Sequence, residues 1–140
     1  MSTPPVILVV DDEPRILSAL RRCLRREGYE ILTAETPAEA LAVLEVRDVQ
    51  AIVSDHKMPG MSGLAFLAQA VARRPDAALL LITGWTEEVP AEELAALGVH
   101  TLLPKPWDDA TLKTALRDAV VSRGGRGTRG PSSGSSSRRP

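Results

Sequence analysis

A single cysteine, Cys23, stands in the 140 residues, so no internal disulfide can form and nothing demands an oxidising compartment. No apolar run approaches the roughly 20 residues that a membrane-crossing helix needs. The start, Met1-Ser2-Thr3-Pro4-Pro5, lacks the basic residues of a secretory leader, and the apolar run behind it is short and ends in acids. These shortages lead to the expectation of a cytoplasmic protein without membrane contact. Acids are missing after Asp118. Residues 1–122 carry 12 basic and 18 acidic side chains, a net −6. The last 18 positions carry Arg123, Arg126, Arg129, Arg138 and Arg139 with no acid, a net +5. A stretch of Gly, Ser, Pro and Arg has almost nothing apolar to bury, so residues 123–140 are expected to be a disordered, solvated tail and residues 1–5 a flexible N-terminus.

What remains, residues 6–122, is long enough for one domain with its own core, and the 44% hydrophobic and 25% charged residues of the whole chain are ordinary for a globular protein. Five short apolar runs alternate with helical patterns. Val6–Val10 is followed by a helix from Pro14 to about Glu27, whose Ile16, Leu17, Leu20 and Leu24 form one stripe and which Gly28 stops. Cys23 falls within that helix and reads as packing. A strand at Glu30–Ala34 leads into Thr36-Pro37-Ala38-Glu39, a capping box, and a helix to about Val46. A strand from Val49 delivers Asp55, and a helix begins near Ser62 and ends before Pro75. A strand at Ala78–Ile82, a helix at Ala91–Leu97 and a short strand at Thr101–Leu103 come next. The last helix starts after Asp108, a good N-cap, and turns Leu112, Leu116, Ala119 and Val120 inward. Strand–helix repeated five times with short connections predicts a parallel, doubly wound α/β sheet with helices on both faces.

In such sheets, ligands bind at the carboxyl ends of the strands. Four of these runs end in chemistry: Asp11-Asp12-Glu13, Asp55, Thr83-Gly84, and Lys105 between Pro104 and Pro106. Hard divalent cations take oxygen ligands, and Mg²⁺ combines one or two carboxylates with phosphate oxygens. A carboxylate can also attack phosphorus and become an acyl phosphate, and such a transfer needs placement and charge neutralisation more than covalent help. Metal-holding acids, an acceptor carboxylate, a hydroxyl and an amine therefore form a candidate phosphoryl-transfer site.

The segments Val9-Val10-Asp11-Asp12-Glu13-Pro14, Ser54-Asp55-His56-Lys57-Met58-Pro59-Gly60-Met61-Ser62-Gly63, Leu81-Ile82-Thr83-Gly84 and Leu103-Pro104-Lys105-Pro106-Trp107 resemble the receiver domain of two-component response regulators, of the single-domain chemotaxis-regulator kind. The resemblance spans about Val6 to Val120. It implies a five-stranded flavodoxin-like sheet of order 2-1-3-4-5. It implies phosphorylation of Asp55 by a histidine kinase or histidine phosphotransfer protein. Mg²⁺ is then held by Asp12, Asp55 and the Lys57 main-chain carbonyl, with Asp11 assisting through water. Thr83 becomes the switch hydroxyl, Lys105 the phosphate-pairing amine, and Lys105–Pro106 a cis peptide. A surface of helix 4, strand 5 and helix 5 then shifts toward a downstream effector. No direct nucleic-acid binding and no turnover beyond self-catalysed phosphoryl transfer and autodephosphorylation are implied, with a monomer or a phosphorylation-dependent dimer as the oligomeric state. Lys105-Pro106-Trp107-Asp108 is similar to receivers attached to transcriptional activators or cyclic-dinucleotide phosphodiesterases, so the chain reads as stand-alone or as part of a larger bacterial regulator.

Many receivers carry an aromatic residue where this chain has Leu102, and the turn between helix 3 and strand 4 reads as trimmed. Lys57 and Trp85 border the site and are expected to shield the acyl phosphate from water. The arginines of helix 1, Arg21, Arg22, Arg25 and Arg26, read as a solvated face that could steer a partner by charge. Two rival readings are a degenerate receiver that docks without phosphorylation, and an aspartyl-phosphate phosphatase. The intact Asp12, Asp55, Thr83 and Lys105 speak against the first. Lys57 speaks against the second, because haloacid-dehalogenase-like phosphatases usually place an acid two residues after the nucleophile.

Overall fold

The structure, a computed structural model, describes residues 4–84 and 89–128, with side chains through Val121. Five strands, β1 (Val6–Val10), β2 (Glu30–Ala34), β3 (Ala51–Asp55), β4 (Ala78–Gly84) and β5 (Val99–Lys105), alternate with five helices. The helices are α1 (Pro14–Leu24), α2 (Pro37–Val46), α3 (Gly63–Arg73), α4 (Ala91–Leu97) and α5 (Asp109–Thr128). All strand pairs are parallel, in the expected order β2-β1-β3-β4-β5.

Central strands in a parallel sheet are covered on both faces, which is why β1, β3 and β4 read as unbroken apolar runs. Ile7, Val9, Ala51, Val53, Leu80 and Ile82 face one layer, where Leu17, Leu20 and Leu24 of α1 meet Leu112, Leu116 and Ala119 of α5. Leu8, Val10, Ile52, Leu79 and Leu81 face the other, filled by Leu44 of α2 and by Phe66, Leu67 and Ala70 of α3. Cys23 packs at the margin of the first layer, as expected of a small apolar side chain.

Several boundaries move. Strand β3 starts at Ala51 rather than Val49, because Gln50 is occupied with Val6: its backbone N–H donates to the Val6 carbonyl at 2.8 Å and its Oε1 accepts from the Val6 N–H at 2.6 Å. Strands β4 and β5 run further than their apolar cores, pairing through Thr83↔Pro104 and Gly84↔Lys105, with His100 as one extra residue on β5. Helix α1 ends at Leu24 rather than Glu27. Beyond it Arg25 and Glu27 donate to carbonyls only three residues back, and Gly28 takes φ +84°, a conformation cheap only without a Cβ. Helix α5 continues to Thr128, past the residue-123 boundary expected for the tail. The disorder expected for the end of the chain falls, from residue 129, outside the described residues.

The caps follow their sequence signals. Thr36 Oγ1 accepts from the Glu39 N–H at 3.0 Å, while Glu39 reaches back to the Glu35 N–H at 2.6 Å, one residue before the cap. Ser62 Oγ accepts from the Ala65 N–H at 3.1 Å, and Asp108 Oδ2 accepts from both the N–H and the hydroxyl of Thr111 at 2.9 Å. These Thr111 bonds hold the Asp108 carboxyl below the usual carboxylate range. The α3–β4 connection takes residues 74–77. Phe66, the chain's one phenylalanine, is fully buried between α3 and the sheet, whereas Val46 is 77% exposed. Phe66→Ala should therefore cost about 3–5 kcal/mol in urea unfolding, with Val46→Ala nearly neutral; comparable losses in the two variants would contradict this packing.

Candidate functional site

Asp11 follows the last residue of β1, and Asp55 is the last residue of β3, so both leave the sheet at its carboxyl edge. Register places Asp55 opposite Ile82, one residue before Thr83, and Gly84 opposite Lys105. The sequence-predicted side chains thus arrive from β1, β3, β4 and β5 at one edge. Carboxylate oxygens of Asp11, Asp12 and Asp55 all lie within 4.8 Å of one another. Lys105 Nζ stands 3.3 Å from Asp11 Oδ2 and 3.3 Å from Asp55 Oδ1. Those contacts are longer than the roughly 2.7–2.9 Å of a tight charge-assisted hydrogen bond. Lys57, Met58 and Pro59 line the same cleft of about 490 Å³, together with Asp12, Glu13, Asp55 and Lys105. The Lys105–Pro106 peptide is cis.

Burial sets the electrostatics. Asp11 is 1% exposed, Asp55 4% and Thr83 7%, while Asp12 opens to solvent. Burial pushes the Asp11 carboxyl above its ordinary value, even though the Glu13 N–H donates to its Oδ1 at 2.9 Å and Lys105 is near. Burial alone would lower the Lys105 ammonium, but the Asp11 and Asp55 carboxylates outweigh it and hold the amine above its ordinary value. Among the described residues, Lys105 is thus the cation in contact with this acid cluster, with Lys57 exposed in the same cleft. Repulsion left over in such a cluster is relieved by a divalent cation, and an all-oxygen donor set suits a hard one. The three acids form a group that could hold a metal ion.

Comparison with known proteins agrees with this geometry. Residues 7–117 match the family described as the response regulator receiver domain. The chain belongs to that family. The hydrogenase transcriptional regulatory protein HoxA of Cupriavidus necator is 36% identical over 125 residues, 86% of this chain and 25% of that protein. The DNA-binding transcriptional regulator NtrC of Escherichia coli is 35% identical over 103 residues, 74% of this chain and 22% of that protein. The chain therefore spans about a quarter of the length of these relatives. Among solved structures, the signal receiver domain of an HD domain-containing protein from Pseudomonas fluorescens superposes with TM-score 0.81 at 31% identity, covering 87% of this chain and 98% of that one. A CheY-like receiver domain protein from Methanospirillum hungatei gives TM-score 0.82 at 27% identity, covering 88% and 98%.

The receiver's edge also depends on residues that spacing did not single out. A Cβ on Gly63 would run into the Asp55 carbonyl oxygen and lie 2.8 Å from the His56 Cα. Only glycine lets the first turn of α3 press against the end of β3, where the Gly63 N–H donates to the His56 carbonyl at 2.7 Å. The loop between them is pinned by Met58, which is 8% exposed and packs in the α2–α3 layer. The signal for Gly63 was present in the sequence only as one more glycine in a loop. Leu102, at the position where many receivers are aromatic, is 45% exposed on β5 beside the buried Leu103. Lys57 is exposed at the cleft, and Trp85, its expected companion, lies outside the described residues.

Ile16, Ala19, Arg22 and Cys23 of α1 face Lys105, Pro106, Trp107 and Asp109 across a trough of about 560 Å³ next to the acid edge. Burial there, followed by the Asp109 carboxylate, pushes the Cys23 thiol up to about 11.

Two outcomes follow from this geometry. Gly63→Ala should destabilise the fold by about 1–3 kcal/mol as the α3 turn is forced off the strand, read as a lower urea midpoint; an unchanged midpoint would mean the close approach is not required. Alkylation of Cys23 by iodoacetamide should be slow at pH 7–8 and climb steadily toward pH 11, because only the thiolate reacts. A rate that levels off near pH 8 would contradict the burial of this thiol.

Proposed function

We propose that this receiver accepts a phosphoryl group on Asp55 and uses it to switch its surface. The carrying observation is the buried Asp55 carboxylate, 4% exposed, facing the Lys105 ammonium at 3.3 Å beside Asp11 and Asp12. A phosphohistidine on a histidine kinase or histidine phosphotransfer protein is the donor. An Asp55 carboxylate oxygen attacks phosphorus, the P–N bond to the histidine breaks with its electron pair returning to the imidazole, and an acyl phosphate forms. Water later attacks that phosphorus, the P–O bond to Asp55 breaks with its electron pair returning to the carboxylate, and inorganic phosphate leaves. The chain is a switch with no other turnover.

Asp12 and Asp55, with the Lys57 main-chain carbonyl, would hold Mg²⁺, and Asp11 would act through water. When bound, Mg²⁺ neutralises charge on the transferring phosphoryl oxygens. Lys105, already drawn to Asp55, pairs with another of those oxygens, and the Thr83 hydroxyl at the neighbouring strand end turns toward a third. These contacts exist only in the phosphorylated state, so they bias α4, β5 and α5 toward a second arrangement. A downstream effector reads that surface in the cytoplasm, from a monomer or a dimer formed on phosphorylation. A docking role without phosphorylation would leave the three acids and Lys105 without purpose. A phosphatase would need a second acid where Lys57 stands.

Incubation with acetyl phosphate and Mg²⁺, followed by intact mass, tests this reading. Wild type should gain the mass of one phosphoryl group, Asp55→Ala none, and Lys105→Ala far less. An unmodified wild type, or an Asp55→Ala variant modified to the same extent, would overturn it.

A further inference from the structure

Helix α1 and the two residues after it carry Arg15, Arg21, Arg22, Arg25 and Arg26, with no acid between Pro14 and Arg26. Arg21 and Arg22 in the last turn of α1 and Arg25 and Arg26 just beyond it crowd like charges together at one end of the helix, which opposes stability. The body around them is acidic, and three of its glutamates pair with arginines elsewhere. Arg47 meets Glu30 at 3.0 Å, Arg73 meets Glu45 at 2.7 Å and Arg117 meets Glu27 at 2.9 Å. Among the described residues, none of the five α1 arginines has an ion-pair partner. The pattern is a concentrated cationic strip without an internal counter-charge.

That strip has a floor. Ser18, Arg21, Arg22 and Arg25 line a groove of about 430 Å³ whose other side is Tyr29 and Ile31, at the start of the edge strand β2. Tyr29 and Ile31 are half-buried and packed on the α1–α5 layer, so the ring is held in place before any ligand arrives. The Arg117–Glu27 pair ties α5 to the end of α1, at the same end of the molecule as Arg25 and Tyr29. The chain beyond Ser122 reads Arg123-Gly124-Gly125-Arg126-Gly127-Thr128-Arg129-Gly130, arginine and glycine with no acid. Guanidinium groups pair with phosphate in two-pronged geometry. A positive groove with an aromatic platform, accompanied by an arginine–glycine segment, is the chemistry that holds single strands.

We propose that the α1–β2 groove binds single-stranded nucleic acid, with backbone phosphates on Arg21, Arg22 and Arg25 and a base stacked on Tyr29. An acidic polypeptide would satisfy the arginines but leave the aromatic platform unused. A duplex keeps its base faces stacked inside and offers none to Tyr29. The site does not depend on phosphorylation of Asp55, and it departs from the sequence-based expectation of no direct nucleic-acid contact.

Fluorescence anisotropy of the full chain tests this, with a labelled single strand of about 20 nucleotides, longer than the roughly 4–16 that one groove covers. The matching duplex and a labelled polyglutamate peptide serve as the other two probes. The single strand should bind at about 50 mM salt, with log K falling by about 2 per decade of salt, since each phosphate contact on a single strand contributes about 0.7. Arg21→Glu with Arg25→Glu should weaken binding at least tenfold, and Tyr29→Ala at least fivefold, with thermal midpoints within a few degrees of wild type. Absence of single-strand binding would overturn the proposal, as would tighter binding of polyglutamate. So would binding that survives Arg21→Glu/Arg25→Glu but is lost when Arg123, Arg126 and Arg129 become Ser, which would place the contact on the tail alone. Equal affinity for the duplex with no effect of Tyr29→Ala would remove the stacked base.

Discussion

Lys105 holds its ammonium 3.3 Å from Asp11 and 3.3 Å from Asp55, at an edge where Asp12 adds a third carboxylate within 4.8 Å. Two like charges at that separation near a protein surface repel by about 3–4 kcal/mol. Among the described residues Lys105 is the cation in contact with these carboxylates, and it offsets only part of this repulsion. The shortage is what makes the edge chemically useful. It attracts a hard divalent cation and, with that cation, the oxygens of a phosphoryl group. A fully neutralised edge would be more stable and would have nothing to offer a phosphate.

Keeping such a cluster in register falls to apolar packing and close backbone approach. Alternate side chains of β1, β3 and β4 lock into two separate layers, so a one-residue slip of any of these strands would move every side chain into the layer shaped for its neighbours. Gly63 lets α3 sit against the carbonyl of Asp55, and the buried Met58 anchors the loop between β3 and α3. The cis peptide at Lys105–Pro106 lies at the other flank, between the amine and the trough that Trp107 helps to line. The acidic edge is thus held in place by apolar packing and close backbone contact.

Much of this was legible from the chain. Unbroken apolar runs revealed strands buried on both faces, and Thr36, Ser62 and Asp108 marked helix starts through hydroxyl and carboxylate caps. Asp11, Asp12, Asp55, Thr83 and Lys105 could be placed on one edge because parallel strands all point their carboxyl ends the same way. What could not be read depends on tertiary contact. The extensions of β4 to Gly84 and β5 to Lys105 come from pairing with each other, and hydropathy does not register pairing. The early end of α1 comes from tight turns before Gly28. Gly63 looked like any loop glycine until the Asp55 carbonyl lay against it. That the arginines of α1 and the two just beyond it have no ion-pair partner among the described residues required knowing where Glu27, Glu30 and Glu45 direct their carboxylates.

The charge shortage at the strand ends is the claim on which the account turns, and thermal unfolding with and without Mg²⁺ tests it most directly. A ligand that binds only the folded state raises the midpoint in proportion to the logarithm of its concentration above Kd. Wild type should gain several degrees at millimolar Mg²⁺, whereas Asp12→Asn should start higher without the ion, relieved of repulsion, and respond weakly to it. A wild-type midpoint that ignores Mg²⁺, together with an Asp12→Asn midpoint no higher than wild type, would contradict the account.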